Sequence, residues 1–188
     1  MQYKTHALGG ITTGLIASHM IVDTLQATPS LPLFLTGASV YASVTVGGFI
    51  GSLFPDVDHP NSYMGRRLPF LSRPIQLASK ASKDSFLKHR GLFHTLLFVF
   101  CLSLGLYALM SYFIDGLMFH VLRFFLIGFF LGNVNHILLD TCTKSGTYLF
   151  YPFVKKKISI LPVVTGSFGE VVFAGVYLLS MIVIIGGM

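Results

Sequence analysis

The chain has 188 residues, of which 53% are hydrophobic and only 11% are charged. Soluble domains usually carry about 25% charged residues, so this composition excludes an ordinary soluble protein and indicates an integral membrane protein. The length suits one domain, and we expect residues 1–188 to form a single integral membrane domain. The two cysteines give no disulfide framework.

Five segments of the sequence are long and apolar enough to be candidate membrane spans, because a spanning helix needs about 20 mostly apolar residues. Backbone polar groups must be satisfied inside lipid, so we expect an all-α, polytopic transmembrane helix bundle. The first segment could instead be a signal peptide, but the single Lys4 before it and the early His6 favour a retained helix. The predicted spans are about 7–25, 32–54, 91–114, 117–141 and 171–188.

The basic residues predict the orientation of these spans. Two long connections, residues 55–90 and 142–170, contain eleven of the 13 Lys and Arg residues, and Lys4 precedes the first span. Only Arg123 falls toward the other side. By the positive-inside rule, the N-terminus and both long loops should be cytoplasmic, and the C-terminus should be external.

The first long loop contains the segment RRLPFLSRPIQLASKASKDSFLKHR, residues 66–90, which mixes Leu and Phe with basic residues. Pro69 and Pro74 predict that the segment is broken into short pieces. It could lie on anionic lipid headgroups, or it could be a solvated loop that only sets the topology. We expect no nucleic-acid partner.

The polar residues of the apolar chain fall at particular span ends. In a chain that runs up and down, the starts of odd spans and the ends of even spans share one face of the bundle, so one site assembled from every helix is predicted there. His6 begins the first span, Asp56, Asp58 and His59 end the second, His89, Arg90 and His94 begin the third, His136 and Asp140 end the fourth, and Glu170 begins the fifth.

The spacings within these groups suit metal binding. His136 and Asp140 are four residues apart and therefore share a helix face. Asp56 and Asp58 are two apart, so both carboxylates point the same way if this piece is extended.

The start of the third span adds three further candidates. Arg90 and His94 are four residues apart and are predicted to share a helix face. His89 and His94 can converge only if His89 lies just outside the helix, at its cap.

Ionisable groups at membrane depth are costly and are usually functional. Imidazole together with carboxylate suits zinc, and manganese or iron are alternatives. The candidates exceed what a single ion needs, so we predict two ions, or three, that share bridging carboxylates. The predicted metal ligands are His6, Asp56, Asp58, His59, His89, His94, His136 and Asp140.

Catalytic roles follow from this chemistry. Two close metal ions can activate water and stabilise the attacking and leaving oxygens of a phosphoester. Arg90 would then bind a phosphate oxygen, and Asp58 and Glu170 are the other predicted catalytic residues. The structural alternatives are a helix-capping role for Glu170 and a loop-holding role for His59.

Four other reactive or ionisable residues are interpreted as structural. Cys142 lies near the predicted site but is not expected to act as a nucleophile. On the opposite side, His19 and Asp23 are four residues apart and should pair with each other, and His120 is left as a structural residue.

Four ordered motifs resemble those of the YdjM-like family of membrane-bound metal-dependent hydrolases. Here they read THALGG, FPDVDHPNS, HRGLFHT and NHILLDTCTKSG, between Thr5 and about Pro152. The family pattern is TH, PDxDH, HRxxxHS and HxxxD, and Thr95 stands where the family often has Ser. The resemblance implies a helical bacterial inner-membrane protein with hydrolase activity. A looser similarity in ligand types to zinc-dependent phospholipases C favours phosphoesters.

The leading hypothesis is therefore a metal-dependent hydrolase that cleaves a lipid phosphoester at the cytoplasmic membrane surface. A metal-dependent hydrolase of lipid esters or amides is the enzymatic alternative. A metal transporter or sensor is the alternative outside enzymes. A transporter should hold its ligands near the bilayer midplane, whereas the candidates here lie at span ends.

Overall fold

A computed structural model describes residues 1–26, 37–81 and 90–187. Within these residues there is no β-strand, and the prediction of an all-α fold is confirmed. Short 3₁₀ helices span Pro55–Asp58 and Leu92–His94. The seven α-helices are α1 (Tyr3–Gln26), α2 (Ala38–Leu53), α3 (Tyr63–Arg67), α4 (Pro69–Ala81), α5 (Leu96–Phe113), α6 (Gly116–Thr141) and α7 (Phe168–Gly186).

Four stretches of the described chain are long and apolar enough to cross a membrane, and a fifth apolar helix is shorter. The shorter one, Phe168–Ile184, lies in α7 and corresponds to the fifth predicted span. The second predicted span began at residue 32, and its residues 32–36 lie outside the described chain. The four longer stretches are Tyr3–Leu25, Ala38–Asp58, Leu96–Phe113 and Gly116–Thr141.

Helices α1, α2 and α6 form the packed centre of the bundle, while α5 and α7 lie at its periphery. The three central helices approach so closely that glycine is required at the crossings. A Cβ added to Gly132 of α6 would lie 2.2 Å from the backbone oxygen of Gly48 in α2, and one added to Gly10 of α1 would lie 2.4 Å from the same oxygen. Backbone contact of this kind is typical of small residues at helix interfaces in membranes.

The chain after α2 is not extended, so the condition under which Asp56 and Asp58 would point the same way is not met. Pro55–Asp58 is a 3₁₀ helix with its proline in the first turn, because the fixed φ of proline favours the start of a helix. The predicted break is confirmed at Pro69, since α3 ends at Arg67 and α4 begins at Pro69. It is wrong at Pro74, because α4 continues through Pro74 to Ala81.

The third predicted span begins five residues later than expected. Thr95 caps α5, since its hydroxyl accepts a 3.2 Å hydrogen bond from Phe98 N, and the 3₁₀ helix Leu92–His94 precedes it. Arg90 lies in a turn with a φ of 65°. The prediction that Arg90 and His94 share one helix face is therefore wrong, and loop geometry rather than helical spacing positions both.

The second long connection folds back beside the end of α6. Two isolated β-bridges, Thr143 with Val163 and Thr147 with Ile158, hold its two halves together. Leu149 O accepts a 3.1 Å hydrogen bond from Leu96 N, which ties the connection to the start of α5. The start of α1, the ends of α2 and α6 and the start of α5 therefore meet at one end of the bundle.

Candidate metal centre

The close crossing of the central helices places two histidines against each other. His6 lies one turn before Gly10 in α1, and His136 lies one turn after Gly132 in α6. Both rings are 0% exposed. They stack with ring centroids 3.6 Å apart and an interplanar angle of 14°. Packing of the glycines thus determines the position of both imidazoles.

A backbone carbonyl of α2 orients the His136 ring. Nδ1 of His136 lies 2.6 Å from Ser52 O and donates to it, because a carbonyl can only accept. In the neutral ring this leaves the lone pair on Nε2. That atom lies 3.2 Å from His94 Nε2, 3.6 Å from Asp56 Oδ1 and 4.0 Å from Asp140 Oδ2.

The carboxylate of Asp140 is in contact with several basic side chains, and the residue is 1% exposed. Its Oδ1 lies 3.3 Å from His6 Nε2, and its Oδ2 lies 3.7 Å from His94 Nε2. The guanidinium of Arg90 approaches both oxygens, with Nε 3.0 Å from Oδ2 and Nη2 3.3 Å from Oδ1. The α-amino group of Met1 also contacts Oδ1.

Arg90 has a left-handed backbone conformation, which indicates that its contacts hold it in place. A non-glycine residue with positive φ costs about 1–3 kcal/mol and persists where its surroundings fix it. Besides the two contacts with Asp140, Arg90 Nη1 donates to Thr143 Oγ1 at 3.2 Å. Thr143 in turn donates to Asp140 O at 2.7 Å. Arg90, Asp140 and Thr143 therefore form one connected unit at the end of α6.

Two groups of side chains in the described chain could hold a metal ion. One is His6, His136 and Asp140, and the other is Asp56, His94 and His136, with the ligand atoms of each group within 4.8 Å of one another. Nδ1 of His6 is buried and makes no hydrogen bond to any residue that the structure describes, and its Nε2 faces Asp140 Oδ1. Facing imidazole lone pairs beside two carboxylates would repel one another, and a divalent cation relieves that repulsion. The residues present therefore fit a metal ion.

The structure brings five of the eight predicted ligands together: His6, Asp56, His94, His136 and Asp140. Asp58 is buried but belongs to neither group. The reason is the 3₁₀ helix, whose three residues per turn direct side chains two positions apart to different sides. His59, likewise in neither group, lies at the cavity beside Asp56. His89 lies outside the described residues.

Glu170, a predicted catalytic residue, also lies outside both groups. Its Oε1 accepts from Gln2 N at 2.5 Å and from Thr5 Oγ1 at 2.9 Å, and its Oε2 accepts from Gly166 N at 2.7 Å. The contact with Gly166, just before α7, matches the capping alternative, and the contacts with Gln2 and Thr5 connect the start of α7 to the start of α1. Glu170 thus positions the segment next to His6.

A cavity of about 430 Å³ opens beside the candidate metal ligands. Two of its lining residues reach the candidate metal centre. Asp56 belongs to one ligand group, and Arg90 contacts Asp140 of the other. Sequence reasoning missed Tyr3 and Tyr63, whose rings stack at 5.4 Å. It also missed a role for Arg66, which lines the same cavity. The available signal was the position of Arg66 in a pair of basic residues seven positions after His59, the last residue of the PDVDH motif.

Cys142 follows the last residue of α6 and is partly buried. Burial raises the pKa of the Cys142 thiol above its ordinary value. A raised pKa lowers the thiolate fraction, and the thiolate is the nucleophilic form. This agrees with the expectation that Cys142 is not a nucleophile.

At the opposite end of α1, His19 and Asp23 do pair, as predicted from their spacing. Nδ1 of His19 lies 3.7 Å from Asp23 Oδ1 and 2.9 Å from the hydroxyl of Tyr41. Their side chains are 31% and 60% exposed. Among the described residues, neither belongs to a group that could hold a metal ion.

Comparison with known proteins gives one family. Residues 1–187 match the sequence model described as YdjM inner membrane protein. Two proteins named inner membrane protein YdjM, from Escherichia coli and Shigella flexneri, are each 38% identical over 104 residues. Those residues are 53% of this chain and 44% of each relative, so the match spans less than half of the relatives' length.

A third relative matches nearly end to end. The YvsG protein of Bacillus subtilis is 29% identical over 181 residues, which is 96% of this chain and 92% of YvsG. No solved structure matches. The family match over residues 1–187 and the apolar helices indicate a multi-pass protein of the inner membrane. The chain belongs to the YdjM family of inner membrane proteins.

Proposed function

We propose that this protein is a metal-dependent hydrolase that cleaves a lipid phosphoester at the membrane surface. The observation that carries the proposal is the convergence of five buried or half-buried ionisable side chains from four parts of the chain beside an open cavity. Desolvating such groups is expensive unless they bind a metal or one another. A purely structural bundle gains little from placing them together.

The ligand set favours two ions. One ligand atom is available from each of His6, His94, His136, Asp56 and Asp140. Two zinc ions with about three protein ligands each need about six ligand atoms, so one carboxylate would have to bridge the two ions. A third ion would need further ligands, such as His59 or His89. Zinc is our first choice, and manganese or iron are the alternatives.

When bound, such ions would activate a water molecule and stabilise the oxygens of a phosphoester. The residues of the chain have distinct tasks beside them. Ser52 O holds the His136 ring so that Nε2 faces the cluster, and Arg90 holds Asp140 at both oxygens. Hydrogen-bond partners of metal ligands orient those ligands, and their removal commonly weakens metal affinity by about 10–100-fold.

Two arginines at the cavity favour a phosphate-bearing substrate. Arg66 and Arg90 both line it, and a guanidinium fork matches the oxygens of a phosphate. Three of the five N–H groups of Arg90 contact Asp140 and Thr143. Arg90 would therefore offer the substrate its remaining N–H groups, and Arg66 would supply the second positive charge.

His59 is placed to contribute a proton donor at the same cavity. Its Nδ1 accepts a 3.3 Å hydrogen bond from Asn61 N. In the neutral ring this places the proton on Nε2. We propose that this N–H donates to an oxygen of the bound phosphoester.

The membrane supplies the substrate in this proposal. Helix α4 exposes Phe70 and Leu77, which are seven residues apart and so lie on one helix face, with 76% and 66% of each residue exposed. Arg73 follows Phe70 by three positions, and Lys80 follows Leu77 by three positions. An exposed apolar face flanked by basic residues suits an interfacial helix on anionic headgroups.

The proposed orientation places the candidate metal centre, α4 and the N-terminus on the cytoplasmic side. If α7 spans the membrane, the C-terminus is external. A reporter fused after the last residue should then read as external, and one inserted in the connection before α7 should read as cytoplasmic. A cytoplasmic reading at both positions would show that α7 does not span.

The test of function is turnover by the purified full-length protein in lipid nanodiscs. Metal-stripped protein reloaded with zinc should release a phosphorylated headgroup or free phosphate from a panel of phospholipids, and stripped protein should not. Release of fatty acid instead would favour the ester or amide hydrolase. Metal binding without turnover of any lipid class, combined with metal flux into vesicles, would favour a transporter.

A further inference from the structure

The end of the bundle away from the candidate metal centre contains a second polar feature, in a groove between α5 and α6. The groove has a volume of about 510 Å³. Its walls are mainly apolar and include Leu104, Tyr107, Ile127 and Phe130. Two polar side chains, Ser103 and Arg123, also line it. Helix α5 buries little of its own surface, so the groove is open along the bundle's side.

Arg123 has no counter-charge in the described chain. Its Nε is buried and makes no hydrogen bond to any described residue, and its recorded contact is with the ring of Phe124, 4.9 Å from the guanidinium carbon. Of the carboxylates at that end, Asp23 pairs with His19, and Asp115 lies in the exposed connection before α6. Ser103 Oγ is also buried without a described partner.

An arginine in a membrane-spanning helix is costly unless it reaches an anion or water. Arg123 lies seven residues into α6, which is about 10 Å along the helix axis at 1.5 Å per residue. That depth lies within snorkelling reach of the headgroup level. The apolar groove then continues from Arg123 toward the middle of the bilayer.

We propose that this groove is a binding site for an anionic phospholipid, with its phosphate on Arg123 and an acyl chain between α5 and α6. Charge complementarity identifies the ligand class, because the groove combines a guanidinium that has no counter-charge among the described residues with walls that match a hydrocarbon chain. This site is separate from the candidate metal centre, and the proposal does not depend on the proposed hydrolase activity. With the proposed orientation the lipid would come from the outer leaflet.

Native mass spectrometry of the full-length protein in detergent tests this site. The protein is titrated with phosphatidylglycerol, and separately with phosphatidylcholine of the same acyl chains. We expect retained phosphatidylglycerol, and an affinity at least about tenfold weaker in Arg123→Gln, the effect of losing one charge-assisted contact. The matched control is Lys156→Gln, which removes an exposed positive charge from the connection before α7 and should change the affinity by less than about twofold.

A second variant tests the groove itself without touching the charge. Ile127 lines the groove and is 41% exposed, so Ile127→Trp should fill the space of the acyl chain and weaken phosphatidylglycerol binding while Arg123 stays. Equal retention of the two lipids by the unaltered protein would overturn the proposal. So would equal weakening by Arg123→Gln and Lys156→Gln, which would indicate general surface charge. If the unaltered protein forms a dimer that Arg123→Gln dissociates while lipid binding is unchanged, a second copy supplies the counter-charge, and that result would also overturn the proposal.

Discussion

The chain contains the same four-residue spacing of His and Asp at opposite ends of the bundle, with different results. His136 and Asp140 end α6 with side chains 0% and 1% exposed. His19 and Asp23 lie near the end of α1 with side chains 31% and 60% exposed. In both pairs the imidazole and carboxylate lie within 4.0 Å. Spacing on one helix therefore explains the pairing but not the formation of a site.

The difference comes from what the neighbouring helices contribute. At His136, α1 supplies a stacked histidine, α2 a carbonyl oxygen, and the turn before α5 both an arginine and another histidine. At His19 the described partners are the Tyr41 hydroxyl and Asp23. A buried cluster must be satisfied by bound metal or by its own members, whereas water can solvate the exposed pair.

The largest expected effect is that of removing the buried pair. His136→Ala with Asp140→Ala should lose most of the bound metal and all measurable lipid phosphoester turnover, because it removes members of both ligand groups. His19→Ala with Asp23→Ala is the matched control and should keep both properties. Metal content per purified chain is the measurement. Unchanged metal in the first variant would eliminate α6 as a source of ligands.

Variants of Arg90 test its two proposed roles, which are to bind a phosphate oxygen of the substrate and to hold Asp140. Arg90→Ala should reduce turnover by about 10²–10³-fold, as expected for one transition-state donor, and should also weaken metal affinity by about 10–100-fold through the release of Asp140. Arg90→Lys should recover little, since a point charge cannot replace two contacts with Asp140. Full turnover and metal affinity in Arg90→Lys would leave Arg90 as a residue that only sets topology.

Sequence reasoning was most successful where regular helices carry the residues. Lipid requires helices, so the apolar runs predicted α1, α2, α5 and α6, and the up-and-down order predicted that His6 and His136 would meet. It failed where short loops decide the geometry. Asp58 was placed beside Asp56 by assuming an extended backbone, and Arg90 was placed on the helix that in fact begins at Leu96.

Two other features could not be predicted from residue patterns. The carbonyl that orients His136 belongs to the backbone of Ser52, and any residue can supply a carbonyl. The cavity is lined in part by Tyr63 and Arg66 of α3, and the loop composition gave no sign of this short helix. Helix α4 was missed because Pro74 was interpreted as a break, although α4 contains it.

The two carboxylates of the PDVDH motif should differ. Asp56→Asn should lower metal affinity and turnover, because Asp56 belongs to a ligand group and lies 3.7 Å from His94 Nε2. Asp58→Asn should lower metal affinity less, since Asp58 is not in either group. Competition with a fluorescent zinc chelator measures both affinities. Equal losses would indicate that metal binding draws Asp58 into the site.

The helix crossing below the site gives a prediction for stability. Gly132→Ala would place a methyl group 2.2 Å from Gly48 O, so α2 and α6 must separate, at a cost of roughly 1–3 kcal/mol. Gly105→Ala in α5 is the control, because an added methyl group there meets no described atom within 4 Å. Thermal unfolding in detergent should show a lower midpoint for Gly132→Ala alone. Equal midpoints would contradict the close crossing.

The smallest effect is expected at Cys142, which adjoins the cluster in sequence but should not take part in its chemistry. Burial raises its thiol pKa, so at neutral pH the thiolate is rarer than in an ordinary cysteine and alkylation by iodoacetamide should be slow. The rate should rise with pH until the raised pKa is passed, because only the thiolate attacks. Cys142→Ser should keep turnover within about twofold, as expected when only a small partly buried side chain changes. Rapid alkylation at neutral pH together with loss of turnover in Cys142→Ser would instead place this thiol among the groups that act on substrate.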